Sequence, residues 1–547
     1  ETYPLSERTV PVCRLLRHGA RLEAERSGAE EMNRYTKYLI IISVGIALLR
    51  LPGLYQPVLD IDECAFTEFA NKILDGSIPY VDIVDNKPPL TYYFFALVFI
   101  FFGKNNLIAV HAVTTLIVIG TALLVFRTGT YLRDERSGIV AAVIFTALAH
   151  TYEPKYISTS GEILINLPLV ISACLYLRCE MKRTHIPLLI VSGISLGIAT
   201  LINYKAGILA GAFILQSAAV ILFRKPRAIM KEFFRLSIIG SATLAPIIII
   251  ILLFDRQGNL DAFLNWGFFY NFRYIQTGSQ TMPLLKPFAR TGYFIFCSLP
   301  AWILAIVHLK RKGIDYARKI SREDTASLHL LFLIIWLILS FYTATLGGRT
   351  YGHYFIQIIV PLALLSGYAY SDITFTERWR NTFWGFFVIL TIIFFATRID
   401  ITRTYQLINY PNWQADENYR LVGKYLKDHT PEESMIYAWG YATPIYYYSD
   451  RRCGARFLIS DYISGRVFGT PNDSRIIKSE LNRAAWKDFM SDLHSHQPVY
   501  FIDTSPANHY GYGRFPIRNY PELNRLITES YRLETTINKI DVYRRIE

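Results

Sequence analysis

Eleven apolar segments of membrane-spanning length, separated by short basic loops, direct this chain toward a helical bundle in a bilayer. They lie at about 38–54, 106–126, 138–150, 162–177, 186–202, 206–223, 236–254, 292–309, 328–346, 354–370 and 381–397. A helical crossing takes ~20 apolar residues, or ~17 at the short end. Segments 138–150 and 162–177 must therefore borrow flanking residues. One further run, Leu90–Phe102, has only 13 residues. Composition agrees with a membrane protein: 18% of the residues are charged, against about 25% in a soluble domain.

The formal charge of +13 would suit a nucleic-acid partner if the cations formed a polar face. They sit instead in loops between apolar segments: Arg127/Arg133/Arg136, Arg178/Lys182/Arg183, Arg224/Lys225/Arg227/Lys231/Arg235, Lys310/Arg311/Lys312/Arg318/Lys319 and Arg378/Arg380. That is the positive-inside pattern, and no nucleic-acid partner is expected. The five loops alternate correctly only if Leu90–Phe102 does not cross. The expected fold is mainly α: a polytopic bundle of about 11 crossings, with a non-crossing element at 90–102. A count of twelve or more would put some Arg-rich loops outside. Loops 55–90, 151–161, 203–205, 255–291 and 347–353, and everything after about 398, then face the outer side.

Residues 1–31 are mixed in charge, lack helical periodicity and precede Met32-Asn33-Arg34-Tyr35. They read as an extension outside the fold, ahead of a membrane domain at 32–400. Residues 401–547 are polar and Tyr-rich, with no spanning run. Helices are expected at Glu417–Lys427, Arg475–His494 and Pro521–Tyr531, and strands at Ser434–Trp439, Pro498–Asp503 and Ile537–Arg544. That alternation predicts a small outer-side α/β domain. The six cysteines, Cys13, Cys64, Cys174, Cys179, Cys297 and Cys453, show no metal or redox spacing. No internal repeat is visible, so the paired repeats of many transporters are missing.

The outer loop 55–90 carries the densest chemistry. Phe66, Phe69, Ala70, Ile73 and Leu74 form one helical stripe, predicting an interfacial helix over Ala65–Leu74 that Gly76 ends. Asp60, Asp62 and Glu63 precede it. In one reading Asp62 is an N-cap and Glu63 complements the helix dipole. In the other, a carboxylate with a pKa raised by its acidic neighbours serves as a general base. Lys87 is fixed in direction by Pro88 and Pro89; it either snorkels to headgroups or clamps a phosphate. Glu162, with Lys155 in the same loop, opens a span at the membrane boundary, where ionisable residues are functional candidates although a helix N-terminus also tolerates Glu. Lys205 lies outside against the charge bias. Arg349 and His353 stand in Gly347-Gly348-Arg349-Thr350-Tyr351-Gly352-His353-Tyr354, where glycines permit close approach and arginine suits phosphate. Arg273 and Lys286 are weaker candidates. Isolated cations (Lys87, Lys205, Arg349) and carboxylates (Asp62, Glu162) on one face fit transfer from a phosphate-linked donor. A transporter would place them at mid-membrane depth.

The segments Asp62-Glu63-x-Ala65, Leu74-Asp75-Gly76-x-x-Pro79-Tyr80 and Asn86-Lys87-Pro88-Pro89-Leu90 resemble those of C-type glycosyltransferases. The similar branch is the bacterial one related to dolichyl-phosphate-mannose protein mannosyltransferases and the lipid A aminoarabinose transferase. Thr159-Ser160-Gly161-Glu162, Lys205, Arg349, His353-Tyr354 and Pro361 add to a resemblance spanning about 35–400. It implies a polyprenyl-phosphate (undecaprenyl-phosphate) sugar donor and an inverting hexosyl or pentosyl transfer to a hydroxyl. The acceptor would be a glycan, lipid or protein. The family's catalytic base falls on Asp62, with Glu63 beside it. Its phosphate-binding lysine falls on Lys87, joined by Lys205, Arg349 and His353. Asp60 and Glu162 form an additional acidic site. The resemblance fixes no cofactor; some relatives bind a divalent metal near these acids, which here would fall to Asp62 and Glu162. The chain carries no second Asp-x-Asp outside the first loop. The resemblance implies a multi-pass protein of the bacterial inner membrane, with catalytic loop and C-terminal domain on the periplasmic side. An oligosaccharide ligase or polymerase is the alternative, and a transporter a more distant one.

Overall fold

The computed structural model describes residues 36–151, 154–179, 185–224, 227–281, 285–320, 324–374, 376–396, 413–466 and 480–546. The extension at 1–31 lies outside them, as do Lys182, Arg183 and Lys225.

All eleven apolar segments are helical. They become Thr36–Leu49, Leu107–Leu132, Glu135–Thr151, Gly161–Leu164 with Asn166–Arg178, Ile186–Ile202, Ile208–Arg224, Arg227–Arg256, Leu285–Cys297 with Leu299–Ile320, Thr325–Thr345, Ile356–Asp372 and Glu377–Ala396. Among the described residues, 6 helices can cross a membrane by length and composition, or 7 if a pair bent by 82° at Cys297–Leu299 counts as one span. Local signals set several ends: Asn106 accepts from Ala109 N at 3.0 Å, and Asp324 from Ser327 N at 2.9 Å. Every residue from Ile356 to Tyr370 is buried, so this helix is the centre of the bundle. Helix Ile186–Ile202 closes on Arg227–Arg256 through Gly193 and Gly197, where an added Cβ would lie 2.5 Å from Ile239 O and 2.4 Å from Thr243 O. Such small-residue contacts are how membrane helices approach closely.

The first-loop helix begins at Ile61 and ends at Leu74, four residues earlier than the stripe predicted. Its cap is Asp60, not Asp62: Asp60 accepts from Asp62 N at 2.9 Å, while Glu63 reaches back to Asp60 N at 3.2 Å. This is a capping box, which the apolar stripe could not reveal. The stripe meets protein rather than lipid. Phe69 stacks on Tyr92 at 3.7 Å, and Phe66 meets Phe95 edge-on at 5.5 Å, joining the helix to Pro89–Phe102.

That second helix has 14 residues, about 21 Å at 1.5 Å per residue, against ~30 Å of hydrocarbon. Both its ends meet the C-terminal domain. Before it, Val84 N donates to Arg456 O at 2.8 Å and Tyr462 donates to Asp85 at 2.7 Å. After it, Asn105 bonds Asp450. Leu97, Ile100, Phe101 and Phe102 form its exposed apolar side.

The C-terminal domain has a mixed sheet of β1 (Met435–Trp439), β2 (Arg452–Cys453), β3 (Tyr500–Asp503), β4 (Tyr531–Ile537) and β5 (Ile540–Arg545), in the order β2-β1-β3-β5-β4. β1 is parallel to β2 and β3, and β5 is antiparallel to β3 and β4. Helices Trp413–His429, Glu480–His496 and Pro521–Ser530 accompany it. The strand expected at Ile537–Arg544 is interrupted by Asn538 and Lys539, both at positive φ. They form a hairpin turn in which lysine stands where glycine is usual. Its partner β4 is largely exposed, so it carries no apolar run to read.

Candidate active site

Three neighbouring acids on one helix turn have three different environments. Glu63 points inward and is fully buried. Its carboxylate accepts from Leu59 N and Asp60 N at 3.2 Å each, from Thr159 N at 2.5 Å and, at 2.8 Å, contacts His111 Nε2. Those bonds tie the first loop to helix Leu107–Leu132 and to the loop before Glu162, and occupy the group. Asp60 caps the helix. Asp62 points outward, with its side chain 27% exposed.

Lys155 bridges the two aspartates, its Nζ 2.9 Å from an oxygen of Asp60 and 2.9 Å from an oxygen of Asp62. The other oxygen of Asp62 accepts the hydroxyl of Tyr441, which belongs to the C-terminal domain. Burial alone would raise the pKa of Asp62, but Lys155, then Lys87, and the Tyr441 hydrogen bond outweigh it and hold the group well below the usual carboxylate range. Burial, with the charge of Asp62 added, pushes Asp60 up to about 7 in spite of Lys155. The sequence expectation of a raised Asp62 is thus reversed. An ammonium between the carboxylates, supplied from 93 residues away, decides the sign.

Cations gather opposite this pair. The turn before Lys87 is held from several sides: Tyr80 donates to Lys87 O at 2.8 Å, Lys87 N donates to Tyr92 at 3.2 Å, and Asn271 donates to Asn86 O at 2.7 Å. Burial disfavours the Lys87 ammonium, but Asp62 and Asp85 outweigh it and raise its pKa. Lys205 lies on the turn Tyr204–Gly207, over the Tyr354 ring and 3.6 Å from Glu162. Arg349 is 2% exposed, with its guanidinium 3.4 Å from the Tyr274 ring centroid. The step that delivers it needs Gly347 and Gly348, both at positive φ. His353 stacks on Tyr351, with ring centroids 5.8 Å apart, and meets Tyr354 edge-on.

These groups form one site. Lys87 is in electrostatic reach of Asp62 and Glu162, and His353 of Lys155, Glu162, Lys205 and Asp62. Arg349 joins through Tyr351, which feels both Arg349 and Lys155. Asp60, Asp62, Lys87, Glu162, Lys205, Arg349 and His353 therefore converge, with Glu63 set behind them. Arg273 is exposed, and the side chain of Lys286 lies outside the described residues. Sequence reasoning passed over Lys155 as a site residue, although it falls in the expected outer loop 151–161, as Lys205 does in 203–205. It found no signal for Tyr441 or Tyr274.

Asp62 and Glu162, the pair proposed for a divalent metal, each face a lysine instead: Lys155 on one and Lys205, whose pKa burial lowers to about 7, on the other. Among the described residues no group of three His, Cys, Asp or Glu side chains could hold a metal. The donor set does not fit one, and no step below uses one.

Residues 86–252 match the family model of dolichyl-phosphate-mannose-protein mannosyltransferase, a match that opens at the Asn86-Lys87-Pro88-Pro89 step. No curated protein matches the sequence. Among solved structures, ArnT from Cupriavidus metallidurans bound to undecaprenyl phosphate matches with a TM-score of 0.59 and 11% identity, over 93% of this chain and 98% of that one. The same protein in the apo state gives 0.54 and 10%, over 94% and 98%. The archaeal oligosaccharyltransferase AglB from Archaeoglobus fulgidus, in complex with an inhibitory peptide and a dolichol-phosphate, gives 0.52 and 12%, over 94% and 74%. The family model and the shared fold support the resemblance read from the first-loop motifs.

Proposed function

We propose that this chain is an integral-membrane glycosyltransferase that moves a sugar from a polyprenyl-phosphate donor to a hydroxyl acceptor at the outer face, with inversion. The observation that carries this reading is Asp62, held in its charged form with Lys87 in electrostatic reach, in one site with Lys205 beside Glu162 and Arg349 beside Tyr351. In the proposed step Asp62 takes the proton of the acceptor hydroxyl, and that oxygen attacks the anomeric carbon. The bond from that carbon to the phosphate oxygen breaks, and its electron pair leaves on polyprenyl phosphate. Lys87, Lys205 and Arg349 stabilise the departing charge, an electrostatic term worth most where water is excluded.

The same reading gives the bundle about eleven crossings, with Pro89–Phe102 lying along the outer side. Both flanks of that helix touch one domain, as a non-crossing element requires. Loop 55–90 and the domain at 401–547 then share the periplasmic side of a bacterial inner membrane.

Lys87 supplies the direct test. Its ammonium has no ion-pair partner among the described residues and is free to meet a phosphate. A hydrogen bond to a charged group is worth about 1.5–3 kcal/mol, roughly 10- to 100-fold in affinity. Lys87→Ala should weaken undecaprenyl phosphate binding to the full-length protein in nanodiscs by that factor, and leave undecaprenol binding unchanged. Equal phosphate binding by variant and wild type would remove Lys87 from the donor site. The AglB fold favours one second reading, an oligosaccharide ligase on a lipid-linked glycan. Mass spectrometry of the product decides it, since a ligase adds a chain and a transferase one sugar.

A further inference from the structure

The acceptor side of the site is formed jointly by the first loop and the C-terminal domain. Asp62 has one oxygen on Lys155 and the other on the Tyr441 hydroxyl. A general base must receive an O–H from its substrate, and the O–H donor now in contact is that phenol. The Tyr441 ring meets Tyr510 at 88°, with centroids 5.2 Å apart, making an aromatic corner. The Tyr510 hydroxyl donates to Asp416 at 3.2 Å, and Asp416 faces Asp60.

Resting on the transferase reading above, we propose that Tyr441 marks the position of the acceptor hydroxyl, and that the acceptor is a neutral carbohydrate held at the Tyr441–Tyr510 corner. Asp60, Asp62 and Asp416 face this junction, and Lys155 is shared between the first two. A polyhydroxylated ring brings several O–H donors to match acceptor oxygens, and apolar C–H faces to match aromatic ones. Burial and the neighbouring charge of Asp60 hold Asp416 up to about 7, so near neutrality it passes between accepting and donating, as a hydroxyl ligand allows.

Binding of neutral methyl-capped di- to tetrasaccharides of glucose, galactose and mannose to the full-length protein in nanodiscs, read by saturation-transfer NMR, tests this. Tyr510→Ala should weaken binding about tenfold or more, while Tyr510→Phe, which keeps the ring, holds it. Undecaprenyl phosphate binding should not change in either variant. Absence of saccharide binding by the wild type, an unchanged Tyr510→Ala, or Tyr510-dependent binding of a Ser/Thr peptide would each overturn the inference. Loss of the donor arm alone would sink the transferase reading and leave the saccharide site standing. A second readout is the pH profile of transfer. Tyr441→Phe removes a hydrogen bond that lowers the pKa of Asp62, so the acidic limb should move to higher pH. A limb that stays in place, or moves down, would separate Tyr441 from the base.

Discussion

Asp62→Asn gives a protein that folds, binds undecaprenyl phosphate as the wild type does, and transfers sugar about 10³-fold more slowly, within the range for loss of a general base. The geometry supports each part. The introduced amide keeps an oxygen for the Tyr441 hydroxyl, and Lys155 retains Asp60 as its partner. The side chain is 27% exposed, so the lost ion pair is partly screened and costs about 1 kcal/mol or less. What disappears is the only negative charge at that position able to accept a proton. Transfer assays in proteoliposomes beside thermal unfolding read the two effects separately. Wild-type turnover in this variant would require another base, and Asp60, raised to about 7, would be next in line.

Glu63→Ala, one residue along, produces the opposite phenotype: a protein destabilised by about 3–5 kcal/mol, the usual cost of breaking a buried charged partnership. The truncation strips partners from three backbone N–H groups, at Leu59, Asp60 and Thr159, and from buried His111. Glu63→Gln should fall between, because an amide keeps the shape but offers one acceptor oxygen where two now serve. Thermal unfolding in detergent gives the ranking. Transfer measured well below the melting point should survive in Glu63→Gln far better than in Asp62→Asn. A stable but inactive Glu63→Ala would return Glu63 to the chemistry.

The contrast shows what the sequence could and could not carry. Adjacent acids in Asp60-Ile61-Asp62-Glu63 look alike in one dimension. They differ because the helix turn aims Glu63 at His111 and Asp62 at Lys155, and both partners come from other segments. Hydropathy located the long apolar helices, because the bilayer rewards a long apolar run directly, but left Tyr270–Thr281 as loop. It overstated the first-loop helix as lipid-facing, because an apolar stripe reads the same whether Tyr92 and Phe95 or acyl chains cover it. Cations that break the charge bias were legible, and Lys87, Lys205 and Arg349 all reach the site. Tyr441 was not, since its partner lies 379 residues earlier and nothing near Gly440-Tyr441 sets it apart. Strands β1 and β3 were visible as buried runs, while exposed β4 had no pattern to show.

The contacts between the first loop and the C-terminal domain also fix an order of assembly. The ribosome delivers Glu68, Asp85 and Asn105 to the membrane long before Cys453, Tyr462 and Asp450, to which they bond. During that interval the first loop lacks these partners. The region bearing the proposed base therefore precedes in the chain the domain that completes its contacts. A chain that stopped short of β1 would lack Tyr441, Asp450, Cys453 and Tyr462, and with them the first loop's partners in the C-terminal domain.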